Sequence, residues 1–194
     1  MFDHDWPTLA TGVAIPHRLY EITDNVGYIQ ISTTHYTSEL ACDSIRYWWN
    51  TYGKVPYHPA NSILLLSDGG GTNSSLSYMF KQDLQALVNE LAIEIPIPDD
   101  PPYTCKYNPI AHPFFPHISP LYQGLIFESV QTLKVLMATA TTRTRLQLLT
   151  TILYNSYQIV RKVALDFKSN LKIVVDEFLP QWNNYTPKPE LQVI

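Results

Sequence analysis

The chain has 194 residues, enough for one domain of ordinary size with a real core. Its 45% hydrophobic content is that of a globular protein, but charged residues reach only 15% against roughly 25% in average soluble domains. A net charge of −4 and a pI near 5.8 exclude a strongly basic nucleic-acid binder by bulk electrostatics, leaving only local positive spots at Arg143/Arg145 and Arg161/Lys162.

Two cysteines, Cys42 and Cys105, form neither a metal-type spacing nor a disulfide framework. They read as inert thiols in a reducing cytoplasm. The acidic start, Met1-Phe2-Asp3-His4-Asp5, is unlike a signal peptide, and no run reaches the roughly 18 apolar residues of a membrane helix. The expectation is a soluble, cytoplasmic protein without a membrane partner.

Residues 1–13 read as an irregular lead-in. Ala14–Ile22 and Tyr28–Thr33 are β-like runs joined by the turn-prone Thr23-Asp24-Asn25-Val26-Gly27, which predicts a hairpin. From Thr37 to Tyr52, Leu40, Ala41, Ile45, Trp48 and Trp49 recur at helical spacing, with Thr37 or Ser38 as cap and Gly53 as stop. The Trp48-Trp49 pair would suit base stacking, but at this spacing core packing is the better reading. Ile63–Leu66 is continuously apolar between turn residues and predicts a strand buried on both faces, as in a parallel sheet. A Gly-rich stretch, Ser67 to Ser75, leads into a helix over about Leu76–Leu91 with Phe80, Leu84, Leu87, Val88 and Leu91 on one face.

Ile93–Ile97 reads as another short strand, followed by a Pro-rich loop from Pro96 to Pro102. Pro113, Pro116 and Pro120 interrupt any regular helix in Ile110–Tyr122. Helices are predicted at about Phe127–Ala140 and Leu146–Phe167, with an irregular tail after Pro180. The order β-β-α-β-α-β-α-α is a mixed α/β layout.

Ligands of open α/β sheets bind beyond the carboxyl ends of strands, and Asp68 stands there, directly after Ile63–Leu66. The three following glycines let the backbone bend sharply and approach a ligand. A carboxylate so placed suits Mg²⁺, which often takes only one or two protein carboxylates. The alternative is an ordinary loop in which Asp68 or Asn73 caps the next helix. A phosphate-cradling P-loop fits less well, because its Gly-Lys-Ser/Thr ending is absent.

Asp68-Gly69-Gly70-Gly71-Thr72-Asn73-Ser74 resembles the Asp-Gly-Gly-Gly-Ser-Asn motif of the Rhodopirellula-type transposase DDE domain, a family of insertion-sequence transposases. The resemblance continues through His4-Asp5-Trp6-Pro7-Thr8-Leu9, Ala14-Ile15-Pro16, Ser44-Ile45-Arg46-Tyr47-Trp48-Trp49 and Asn108-Pro109-Ile110 with His112. It extends over Phe114-Phe115 with Ile118-Ser119, Thr141-Thr142-Arg143-Thr144, Asp176-Glu177-Phe178 and Trp182-Asn183, nearly the whole chain.

The resemblance implies an RNase H-like α/β fold of the DDE transposase/integrase type. It also implies three acidic residues holding two Mg²⁺ (or Mn²⁺) ions for DNA strand cleavage and transfer. Asp68 would be the second of the three, and so the one catalytic and metal-binding residue to carry over. The family's first Asp lies on a strand upstream of His4–Leu9, so the first central strand is expected to be missing. The third, a Glu, falls at Ala111, which cannot coordinate metal. His112 is a poor substitute for a Mg²⁺ ligand. Pro113 and Tyr47 stand where arginines are usual, and Tyr36 where the family often has Asp.

Residues 1–194 are therefore expected to form a single partial catalytic domain: lead-in 1–13, RNase H-like portion 14–125, C-terminal helical portion and tail 126–194. The expected protein is a catalytically inactive remnant acting on transposon-end DNA. Its protein partner would be a second copy of itself or an intact transposase. The competing readings are a non-catalytic DNA- or protein-binding module and, more distantly, an unrelated α/β enzyme using Asp68 for phosphate chemistry.

Overall fold

The computed structural model describes residues 12–67, 77–98, 127–139, 146–170 and 187–190. The chain divides into two compact, discontinuous units, one built on 1–36 with 109–159 and the other on 37–108 with 160–194. The described elements are mixed α and β, in keeping with the expected class.

The first unit holds a three-stranded sheet, order β1-β2-β3. Strands β1 (Ile15–Glu21) and β2 (Val26–Ser32) form the predicted antiparallel hairpin, pairing Ile15 with Ser32 and Glu21 with Val26. Its turn is held locally. Glu21 accepts the Thr23 and Asp24 N–H groups at 2.9 Å each, Asn25 takes a left-handed φ of 56°, and the Tyr20 hydroxyl donates to Asn25 Oδ1 at 3.0 Å.

Strand β3 (Gln147–Leu153) runs parallel to β2, with Val26 opposite Gln147 and Ser32 opposite Leu153. This corrects the helix expected over Leu146–Phe167. Leu146, Leu148 and Ile152 are buried at a period of two, and Thr150-Thr151-Ile152 is a β-branched run that favours extended backbone. Only the last three residues of that stretch are helical, in a helix that spans Leu165–Asn170. Between β2 and β3 in the chain lies a helix, Val130–Ala138, inside the predicted span and capped by Ser129, which accepts the Thr132 N–H at 3.1 Å. Its Leu133 and Met137 pack on Ile29, Ile31, Leu148 and Ile152, the apolar face of the sheet. The opposite face is mixed: His17 and Gln30 are cross-strand partners and both are buried, beside Leu19, Tyr28 and Leu149.

The second unit centres on two helices. Ser38–Trp48 (α1) is capped by Thr37, which accepts the Leu40 N–H at 3.2 Å. It continues through one π-type turn, Trp49–Gly53. Gly53 is required there: a Cβ would come within 2.8 Å of the Trp49 ring. Tyr78–Leu91 (α2) buries Phe80, Leu84, Leu87 and Val88, the predicted face. The Val130–Ala138 helix of the first unit is α3 in chain order, and Leu165–Asn170 is α4.

Beside this helix pair, 61–65 and 94–96 run parallel. Ile63 N–H donates to the Glu94 carbonyl at 2.9 Å, Leu65 N–H to Pro96 at 3.0 Å, and Glu94 N–H to Asn61 at 3.0 Å. The parallel neighbour expected for Ile63–Leu66 is present, but burial on both faces is not. Leu64 is 63% and Leu66 41% exposed, whereas Ile93, Ile95 and Ile97 of the partner segment are buried. A run of four apolar residues cannot distinguish a doubly buried strand from a half-exposed one.

Candidate functional site

The described structure reaches Ser67, one residue short of the expected metal ligand. Asp68, the glycines after it, Ala111 and His112 lie outside the described residues, so the expected approach of Asp68 to Ala111 has no geometry here. The far side of the loop is defined. Ser77 accepts the Phe80 N–H at 3.4 Å and starts α2, so the cap is Ser77, neither Asp68 nor Asn73. Among the described residues, no group of three or more His, Cys, Asp or Glu side chains could hold a metal ion.

Charge in the second unit is concentrated in a network that the sequence reading did not single out. Asp83 is buried on α2, between Phe80 and Leu87. Its carboxylate accepts the Ser38 hydroxyl of α1 at 2.5 Å and both Arg161 Nη groups, at 2.8 and 2.7 Å. Arg161 also lies 3.5 Å from Glu39. The hydrogen bond to Asp83 raises the Arg161 pKa above its ordinary value, outweighing the desolvation that opposes it. An acidic residue on the apolar stripe of a helix was the available signal, because a buried charge requires a partner.

Arg161 is therefore consumed internally, and the local positive spot expected at Arg161/Lys162 reduces to the exposed Lys162. Arg46 is similarly engaged, bonded to Asp43 and, through Nε, to both Glu90 oxygens at 3.0 and 2.9 Å. Burial lowers its pKa, but the neighbouring acids outweigh that and raise it. The spot at Arg143/Arg145 lies outside the described residues.

Cys42 is a free, buried thiol on α1. Burial first, and then the Asp83 charge, push its pKa up, so it stays protonated and inert as expected. Cys105 lies outside the described residues. Trp49 is buried and Trp48 partly so, their rings 6.0 Å apart and tilted 51°. The Trp48 ring also meets Tyr57 at 6.3 Å. Packing, not a base-stacking platform, is what this pair provides.

In the first unit, His17 on β1 is held neutral, its pKa pushed down to about 4 by burial and secondarily by Arg18. The Tyr36 ring lies 6.2 Å from it. Next to His17 across the ladder, Gln30 Oε1 is buried with no hydrogen-bond partner.

No helix among the described residues is long and apolar enough to cross a membrane. No curated protein and no solved structure matches the chain. The family model of the Rhodopirellula transposase DDE domain does match, over residues 1–189. That span takes in every motif on which the resemblance was drawn except the last five residues of the chain, where none lies. It points to insertion-sequence transposase function, in a family that works with divalent metal on DNA. The chain belongs to the Rhodopirellula transposase DDE domain family.

Proposed function

We propose that the chain is a transposase-family protein of an insertion sequence that no longer cleaves DNA, with Asp68 as a metal carboxylate. The observation that carries this reading is the alanine at Ala111, inside Asn108-Pro109-Ile110-Ala111-His112, where by the resemblance the family's third acidic residue would fall. The donor set does not fit two divalent ions. Mg²⁺ surrenders its water reluctantly, and an alanine in place of one of its carboxylates leaves it weakly held. No catalytic step is derived through it. Losing part of a cooperating catalytic set costs on the order of 10⁴-fold or more.

An RNase H-like arrangement is supported by element order. A β hairpin leads into α1, and two parallel extended segments are connected through α2. That is the sequence of elements the family resemblance implies after its first strand. Residues 1–194 as one catalytic domain, with transposon-end DNA and a second copy or intact transposase as partners, complete the reading. A non-catalytic binding module is the second reading. Its protein-binding form is favoured by the engagement of Arg46 and Arg161 with acids of the chain itself, which withdraws them from phosphate.

The test is Mg²⁺- or Mn²⁺-dependent nicking of DNA carrying the element's ends. The purified chain is expected to leave the DNA intact. Robust nicking abolished by Asp68→Ala would overturn the proposal. Binding to DNA ends that weakens steeply with salt, without nicking, would select the binding-module reading.

A further inference from the structure

The sheet of the first unit ends in two unlike edges. Strand β1 carries Pro16, Arg18 and Glu21, residues that discourage the addition of another strand. Strand β3, Gln-Leu-Leu-Thr-Thr-Ile-Leu, has no charge, proline or glycine, and it is the outermost strand on its side among the described residues.

Backbone geometry shows what this edge offers. Gln147 N–H donates to the Asn25 carbonyl at 3.4 Å, just before Val26 of β2. In a parallel ladder alternate residues bond to the same neighbour. The N–H and C=O groups of Leu148, Thr150 and Ile152 therefore point away from β2. A side chain at the same place is also unsatisfied: Thr150 Oγ1 is buried and has no hydrogen-bond partner. Because Thr150 lies opposite Ile29, it faces the apolar side of the sheet, where a lone hydroxyl is costly.

We propose that β3 pairs antiparallel with β3 of a second copy of this chain, about a two-fold axis passing through Thr150. In that register Thr150 stands opposite its own equivalent, Leu148 opposite Ile152 of the second copy, and Gln147 opposite Leu153. The outward-pointing residues then meet as hydrogen-bonded pairs, each exchanging two backbone bonds. The buried faces of both sheets stay on one side, so the wall of Ile29, Ile31, Leu148 and Ile152 continues across the axis. A slip of one residue would turn that wall to the opposite side of the sheet. A slip that puts the axis through Leu149 keeps the faces but sets Thr150 against Leu148, leaving the hydroxyl unpaired. Only the Thr150-centred register lets the two hydroxyls bond each other, as cross-strand threonines do. With no charge on β3, self-pairing brings no like charges together, and a two-fold contact closes at two copies. The inference does not depend on the transposase reading.

The 194-residue chain is expected to sediment at twice the monomer mass as concentration rises. Amide exchange at Leu148, Thr150 and Ile152 should slow in step. Thr150→Pro removes only an outward N–H from the ladder, and Leu149→Asp places like charges across the axis from an exposed position. Each is expected to weaken association at least tenfold with circular dichroism unchanged. Thr150→Cys should cross-link to its own equivalent under mild oxidation, because paired strands hold Cα atoms within disulfide reach, whereas Gln147→Cys should not. Three outcomes overturn the proposal: a monomer at every concentration, an open series of larger species, or a dimer that cross-links equally from Gln147→Cys. Should Thr150→Pro fail to fold, Leu149→Asp and the two cysteine variants still decide the matter.

Discussion

The interiors of the two units handle polar groups in opposite ways. In the second unit charges packed at the helix pair are answered: Asp83 by Ser38 and Arg161. Arg46 is answered by Asp43 and Glu90, and the backbone of the returning 187–190 segment by Gln85 and Asn89. In the first unit, polar atoms of the sheet are buried without matching donors or acceptors, as at Gln30 and Thr150, and His17 is desolvated into its neutral form. Paired charges make a region internally complete but spend its cations, which bears on DNA binding. Unanswered polar atoms mark a region built to receive something more, or one that carries a stability cost. Substitution can separate these.

The largest effect is expected at Asp83. Removing one partner of a buried pair costs about 3–5 kcal/mol, and because Arg161 is partly exposed the lower end applies, about 3 kcal/mol. Asp83→Ala should lower the urea midpoint by that amount and speed amide exchange in α1 and α2. The double variant Asp83→Leu/Arg161→Met should recover most of the loss, since a packed apolar pair often replaces a buried ion pair without cost. If Asp83→Ala were neutral, the view of the second unit as held by this network would fail.

Acid comes next, and it acts on the first unit. His17 has its pKa lowered from 6.5 to about 4 in the folded chain. Between those values the unfolded chain takes up a proton that the folded chain refuses, so folding weakens as pH falls. The loss begins near 6.5, grows to about 3 kcal/mol near 4, and then levels off. Carboxylates titrate in the lower part of the same window, so the relevant quantity is a difference. His17→Gln should flatten the pH dependence of the urea midpoint relative to wild type. Equal slopes for the two proteins would show that His17 is not buried as neutral imidazole.

What could be read from the sequence follows the same division. Helices α1 and α2 were legible because their apolar stripes repeat at 3.6 residues and Thr37 marks a start; only the second cap, Ser77, differs from the residues considered. The hairpin was legible from Asn25 and Gly27 between two β-like runs. Strand β3 was not. Leu146 to Leu153 carries apolar residues at both helical and strand spacing, and its pairing with β2 spans more than a hundred residues. Ile63–Leu66 gave the right neighbour and the wrong exposure, because hydrophobicity reports what can be buried and not how much covers it. The DDE identity was legible from motifs distributed over the chain, while the Asp83–Arg161 pairing needs coordinates, its two residues being far apart in sequence.

The smallest expected effect is the sharpest discriminator for Gln30. Its Oε1 lies in the central strand, buried and without a partner, one position across from His17. An unsatisfied buried polar group costs about 1–3 kcal/mol, and replacing it by an apolar group of similar size removes that cost. Gln30→Leu alters neither the β1–β2 nor the β2–β3 ladder, since both are made by backbone. It is therefore expected to raise the stability of the isolated chain by about 1 kcal/mol, read as a higher urea midpoint with an unchanged slope. The gain should also persist when measured at low concentration, because Gln30 sits on the opposite face of the sheet, away from the Thr150 side of β3. A loss of stability in Gln30→Leu would mean that this amide is satisfied in solution. The first unit would then be as internally complete as the second, and the contrast between them would be withdrawn.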